Sequence, residues 1–416
     1  MEKLSNNYNT SNTPNTPKMH KSPESNNKVP GARGTLAKLG GASLKASRKT
    51  MADFKQFRNN NEVEQDIRFL NERKKDFRSK GEAAKQFEQI TARGFITDRW
   101  LGNIPDKKNR VPFRVANVFA AESSERVPYD DVVNKIDYAV SLDVPGRQDP
   151  IFIGFDVTLN EGSLEDKLLR TNTNPDKNLP FGFSGLDYSY TREGELLPKI
   201  TNVPRYCLTM DLSEDKADEY HQNWYRLRWA DEKDKTKEQY KEAKTYIGRF
   251  NARTRFMALS EIYEQNKLYK AMLPPLNGKD NLTIKDAASK LDIINSKLFF
   301  PLYRAAMNCP LIMDDPNNEE ISPAEKAEAD KVEAKRAELF QKIKDCSESD
   351  LAPEEKGQRI FTLRQEAYHL ISDYIKTKDS HYSVMLQEVD HLSELEQQGK
   401  LNILKTIQPR NKKRIN

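Results

Sequence analysis

Cysteine is scarce in this chain, with only Cys207, Cys309 and Cys346 among 416 residues. Their odd number and wide spacing exclude a disulfide framework and a cysteine-rich zinc cluster. The five histidines, His20, His221, His369, His381 and His391, show no metal-ligand spacing either. There is no Gly-rich phosphate loop, no H-E-x-x-H pair and no nucleophile elbow, so P-loop, zincin and serine-hydrolase chemistries have no sequence basis. No apolar run approaches the ~18 residues of a membrane span, and the N-terminal region has no hydrophobic segment to act as a signal. The expectation is a cytoplasmic protein with no membrane association.

What is present supports a folded core with charged appendages. Hydrophobic residues make up 36% of the chain, enough for two or three domains at this length. The net charge of +5 is unevenly distributed: residues 1–50 hold nine Lys/Arg and two acids, residues 405–416 hold five Lys/Arg and no acid, and the remainder is acidic by seven charges. The first fifty residues are dominated by Asn, Ser, Thr, Pro and Lys, too polar to offset the entropy of ordering. They read as a disordered basic arm, either a phosphate-contacting segment or a solubilising tail. Residues 405–416 read as a basic tail.

Between these ends the pattern changes along the chain. Residues 51–104 read as a helical segment, with Phe69, Leu70, Phe77, Ala84 and Phe87 among charges and Gly94 as its terminator. Residues 105–230 read as an α/β core. Val115, Val118, Phe119 and Glu122 recur at helical spacing, which predicts a helix with Glu122 on its buried stripe. Residues 231–320 then read as helices in an insertion or second domain, and residues 321–404 as C-terminal helices with surfaces for protein partners. Pro274, Pro310, Pro323 and Pro353 set their limits. The predicted class is α+β: a small mixed β-sheet flanked by helices, with extensive all-helical additions.

Two segments in the core alternate with period two and predict strands. Ile136, Tyr138, Val140 and Leu142 share one face of the first, with Lys135, Asp137, Ala139 and Ser141 opposite; Ile151, Ile153, Phe155 and Val157 share one face of the second, with Phe152, Gly154, Asp156 and Thr158 opposite. The connector, residues 143–150, is rich in turn formers and predicts an antiparallel hairpin. If Leu142 faces Ile151, then Asp137 faces Asp156, with Cβ atoms roughly 4.5 to 5.5 Å apart. Two carboxylates at that distance repel, and three arrangements reconcile them: a cation between them, a shared proton, or a different register. A hard divalent ion such as Mg²⁺ takes carboxylate oxygens and water. Asp137 paired with a neighbouring lysine or arginine, and Asp156 bonded to Thr158 or a loop amide, are the plainer alternatives.

Beyond the hairpin, Ser163-Leu164-Glu165-Asp166 has the pattern of a capping box opening a short helix. Tyr206, Leu208, Met210 and Leu212 then alternate in a third strand, followed by a helix over residues 214–228. Asp130 and Asp131 suit a cap or turn. Arg249, Arg253 and Arg255, interleaved with Phe250 and Phe256 on a predicted helix, suit either a nucleic-acid contact or a solvated basic edge. The aromatics of residues 220–229 are expected to pack against the sheet.

The order helix with Glu122, strand with Ile136-Asp137, strand with Asp156-Val157-Thr158, helix, strand resembles the PD-(D/E)XK nuclease superfamily, whose restriction-endonuclease-like fold cuts nucleic-acid phosphodiesters with Mg²⁺. The resemblance covers about residues 111–228. It implies Asp137 and Asp156 as metal-binding catalytic acids, Glu122 as the helical glutamate, and DNA or RNA as partner. The motif lysine is replaced by Thr158. Loss of such an electrostatic stabiliser lowers rate by ~10²- to 10³-fold, so another cation must serve, with Lys167 on the following helix ahead of Lys135. The alternative implied by Thr158 is an inert version of the fold used for nucleic-acid association or assembly.

Overall fold

The computed structural model describes residues 49–73, 82–96, 100–101, 114–120, 129–144, 147–159, 164–169, 179–191, 193–210, 213–231, 234–274, 281–313 and 322–399. The terminal arms, Glu122 and Ser163 lie outside these described residues. The architecture is α+β. A 3₁₀ turn, Met51–Gln56, leads into α1 (Asn60–Arg73) and α2 (Glu82–Ile96). Then come β1 (Arg114–Ala120), the single turn α3 (Tyr129–Val132), β2 (Tyr138–Asp143), β3 (Ile151–Thr158), α4 (Leu164–Leu169), β4 (Phe183–Leu186), β5 (Ser189–Thr191) and β6 (Ile200–Thr209). The helices α5 (Glu214–Arg228), α6 (Glu238–Ala271), α7 (Asn281–Asn308), α8 (Pro323–Glu348), α9 (Pro353–Lys376) and α10 (Ser380–Gln397) follow. No helix among the described residues is long and apolar enough to cross a membrane.

The strands form one mixed sheet in the order β4-β6-β3-β2-β1-β5. The β2–β3 hairpin is antiparallel with Leu142 opposite Ile151 and Tyr138 opposite Phe155, the register read from the alternation. β6 returns parallel to β3, placing Arg205 beside Gly154 and Cys207 beside Asp156. Both sheet faces are covered. Tyr138, Val140, Phe155 and Tyr206 belong to a large apolar cluster that runs from Met51 to Leu392, while Ile136, Ala139, Val118, Leu186 and Val203 form a smaller one. The hairpin's second face is therefore core as well, where alternation alone predicted a mild polar surface.

Several sequence expectations are corrected. Residues 115–120 form strand β1, not a helix, because β2 and β5 supply hydrogen-bond partners on both of its edges. Tertiary pairing outweighs the helical spacing. β4 and β5 occupy a stretch read as loop, and β6 starts earlier than expected. Gly94 lies inside α2 rather than ending it. A Cβ there would fall 2.2 Å from the Trp100 ring, so the glycine admits the indole against the helix. Lys135 has φ 57 and precedes β2, so it does not share a strand face with Asp137.

One edge of β6 is closed by a helix instead of a strand. β4 covers only the first half of β6, through pairs reaching Phe183–Pro204. Beyond it, Tyr269 Oη donates to Arg205 O at 2.7 Å. Gln265 both accepts from Cys207 N at 2.8 Å and donates to Cys207 O at 2.7 Å. Glu261 accepts from Thr209 N at 3.0 Å and pairs with the Thr209 hydroxyl. Four helical residues rise ~6 Å and two strand residues ~6.6 Å. Side chains four apart on α6 therefore keep step with alternate residues of β6, and the buried backbone groups are satisfied.

Candidate active site

The hairpin register and the crossover to β6 fix the site. Asp137 sits one residue ahead of β2, where its N–H donates to Phe155 O at 2.8 Å. Its Oδ2 accepts from Val157 N at 2.6 Å, so the carboxylate reaches across to the β3 backbone. Asp156 follows Phe155 on β3, while the regular β2–β3 register ends at Tyr138 opposite Phe155 and Asp137 bonds the same Phe155 carbonyl, so the two aspartates are not directly opposed. Both aspartates are buried, with 6% and 5% exposure respectively.

Cations from two other elements close on Asp156. Lys167, on α4, donates from Nζ to Asp156 Oδ1 at 2.6 Å and to Val157 O at 3.1 Å. Arg205, on β6, places Nη1 3.4 Å from Asp156 Oδ2. Its Nη2 donates to Lys167 O at 2.6 Å, tying α4 to the sheet. Burial works to lower the Lys167 pKa, but attraction to Asp156, with contributions from Cys207, Asp137 and the hydrogen bond, outweighs it and the net shift is upward. The Cys207 thiol is raised by burial and by Asp156, so it is a neutral neighbour rather than a thiolate ligand.

Among the residues singled out from sequence, Asp137, Asp156 and Lys167 are brought together. Arg205 was missed, because its approach depends on the β3–β6 register, which no local pattern encodes. Glu88 was also missed. It lies on α2 with 2% exposure, and after burial its charge and that of Asp137 both push the Tyr138 phenol upward. Glu122 lies outside the described residues, and the stretch leading to it is β1 rather than a helix.

The three arginines of α6 do not share one face. Arg249 is exposed, while Arg253 is half-buried and lines a cavity of about 240 Å³ with Met210, Phe250 and Met257. Arg255 donates to Trp100 O at 3.0 Å on another side of the helix. Asp130 has the structural role expected of it. It accepts from Asn134 Nδ2 at 2.6 Å, Asp187 N at 2.8 Å and Ser189 Oγ at 3.0 Å, pinning α3 to the β4–β5 corner. The aromatics at the end of α5 do not all pack inward: Tyr220 is buried against Phe250, but Trp229 is 73% exposed.

The oxygens here suit a hard cation. Asp156 Oδ1 and Val157 O already hold the Lys167 ammonium between them, and a carboxylate oxygen has room for more than one partner. Among the described residues no group of three or more His, Cys, Asp or Glu converges on a point. Asp137 and Asp156 would thus be the protein ligands, with water and substrate oxygens completing the shell, as Mg²⁺ commonly permits. No family model, curated protein or solved structure matches the chain.

Proposed function

We propose that the chain is a divalent-cation-dependent phosphodiesterase acting on nucleic acid, built as in the PD-(D/E)XK nucleases it resembles. One observation carries the reading: the Lys167 Nζ lies 2.6 Å from Asp156 Oδ1, although it comes from a helix and not from the strand position where Thr158 stands. Asp137 and Asp156 would hold Mg²⁺, which supplies a polarised phosphate and an activated water when bound. Lys167 carries the positive charge sited to stabilise negative charge building on a phosphate oxygen. Arg205 pairs with Asp156 and holds the α4 backbone through Lys167 O. Glu88 adds a buried acid on the α2 side.

Arg205 also favours a second reading, an inert scaffold for nucleic-acid association. With one cation on each oxygen, Asp156 is already neutralised without a metal. Thermal melts separate the two readings. The active-site reading predicts stabilisation by millimolar Mg²⁺ that disappears in Asp137→Asn. The inert reading predicts identical melts with and without the ion.

A further inference from the structure

We propose that Phe300, Arg304 and Arg364 form a second nucleic-acid contact, taking a single strand with a base on the Phe300 ring and phosphates on the two guanidiniums. Phe300 and Arg304 lie one turn apart on α7, and Arg364 reaches the same ring from α9. The Arg364 Cζ is 5.0 Å from the Phe300 centroid and 5.1 Å from that of Tyr303. Arg304 approaches Phe300 at 5.9 Å. Two like charges thus gather at one ring. Among the described residues neither guanidinium has a carboxylate partner, and the Arg364 Nε is buried with no hydrogen bond.

A third cation adds to this field. Arg255 lies close enough to Arg304 that, after burial, the repulsion lowers its pKa, and its Nε is likewise unbonded. Burial also lowers the Arg364 pKa, against the pull of Tyr303. Arg364 is half-buried and, like the exposed Arg304, has no counter-charge among the described residues, so an anion bound between them is favoured. The rings identify which anion. Phe300 and Phe361 are 37% and 41% exposed, and an exposed ring beside arginines matches a base with its flanking phosphates. A single strand offers free base faces, whereas a duplex keeps them stacked.

This contact rests on the nucleic-acid reading for its purpose, but it is tested without catalysis. The probe is a labelled mixed-sequence single-stranded oligonucleotide, as DNA and as RNA, titrated with the full chain in chelator across a salt series. Phe300→Ala should weaken binding roughly tenfold, as expected for one lost stacked base. Arg304→Ala with Arg364→Ala should make the log–log salt slope shallower by about 1.4, at about 0.7 per phosphate contact. Trp229→Ala, on the exposed end of α5, should change neither quantity, and melts of every variant confirm folding. Unchanged affinity and slope in the double variant would overturn the proposal, as would equal loss in Trp229→Ala or equally tight binding of an acidic peptide. Cleavage by the parent alongside normal binding by the arginine variants sinks this contact alone. Binding that depends on these residues without any cleavage leaves the contact standing and removes the active-site reading.

Discussion

Lys167 on α4 places its Nζ 2.6 Å from Oδ1 of Asp156 on β3, so the helix that follows the strand supplies the positive charge that Thr158 cannot. The pair is largely buried, with side-chain exposures of 16% and 7%. Lys167→Ala should therefore lower any cleavage rate by ~10²- to 10³-fold. It should also lower stability by about 3 kcal/mol, since it removes one partner of a buried pair while Arg205 still faces Asp156. Steady-state rates and denaturant melts read the two effects separately. Thr158→Lys in the parent should give no gain in rate, because two ammonium groups would then crowd one carboxylate.

The raised Lys167 pKa sets a pH window. A lysine whose folded pKa exceeds its unfolded value contributes stability that is complete below the unfolded value, about 10.4, and is lost as pH rises through the folded one. The stability difference between the parent and Lys167→Met should hence be constant from neutrality to about pH 10 and shrink above it. A difference that instead shrinks on acidification would contradict this.

Glu261 behaves in the opposite sense. Burial drives its pKa well upward, although both its oxygens meet Thr209. An acid with a raised folded pKa loses stability as pH climbs above its unfolded value of about 4.3. Glu261→Gln keeps an acceptor for Thr209 N and removes that penalty. The variant should melt at or above the parent at neutral pH, with an advantage that grows with pH, and a lower melting temperature at every pH would contradict this.

Much of this arrangement was legible in the sequence, and the remainder had no local signal. The hairpin register over Tyr138–Leu142 and Ile151–Phe155 followed from period-two patterning and a turn-rich connector, whereas Ile136, expected on the Tyr138 face, packs with Ala139 on the other. Helix limits at Pro323 and Pro353 were legible because proline fits the first turn. β1 was misread because Val115, Val118 and Phe119 recur at helical spacing, and the deciding partners lie in β2 and β5. Aspartates opposed in register were expected to need a metal, a proton or another register. Fixed cations on Asp156 are what the fold supplies, and Arg205 arrives through a parallel pairing set far along the chain.

The α6 ladder offers a test of the fold that is independent of chemistry. Gln265 satisfies both backbone groups of Cys207, so Gln265→Ala leaves a buried donor and a buried acceptor unpaired. At about 1 to 3 kcal/mol for each such group, the variant should lose roughly 2 to 6 kcal/mol in urea melts. A loss below about 0.5 kcal/mol, the usual range for a surface change, would mean that β6 is not held by this helix.

The central claim is tested most directly by incubating the purified chain with mixed single- and double-stranded DNA and RNA in millimolar Mg²⁺ or Mn²⁺, beside its Asp137→Asn variant. In that variant the amide oxygen can still accept from Val157 N, so the fold is retained while a ligand charge is lost. A working Asp137–Asp156 site gives cleavage products that require the divalent ion and vanish in the variant. Parent and variant alike leaving every substrate intact, with melting temperatures unmoved by the ion, would contradict it.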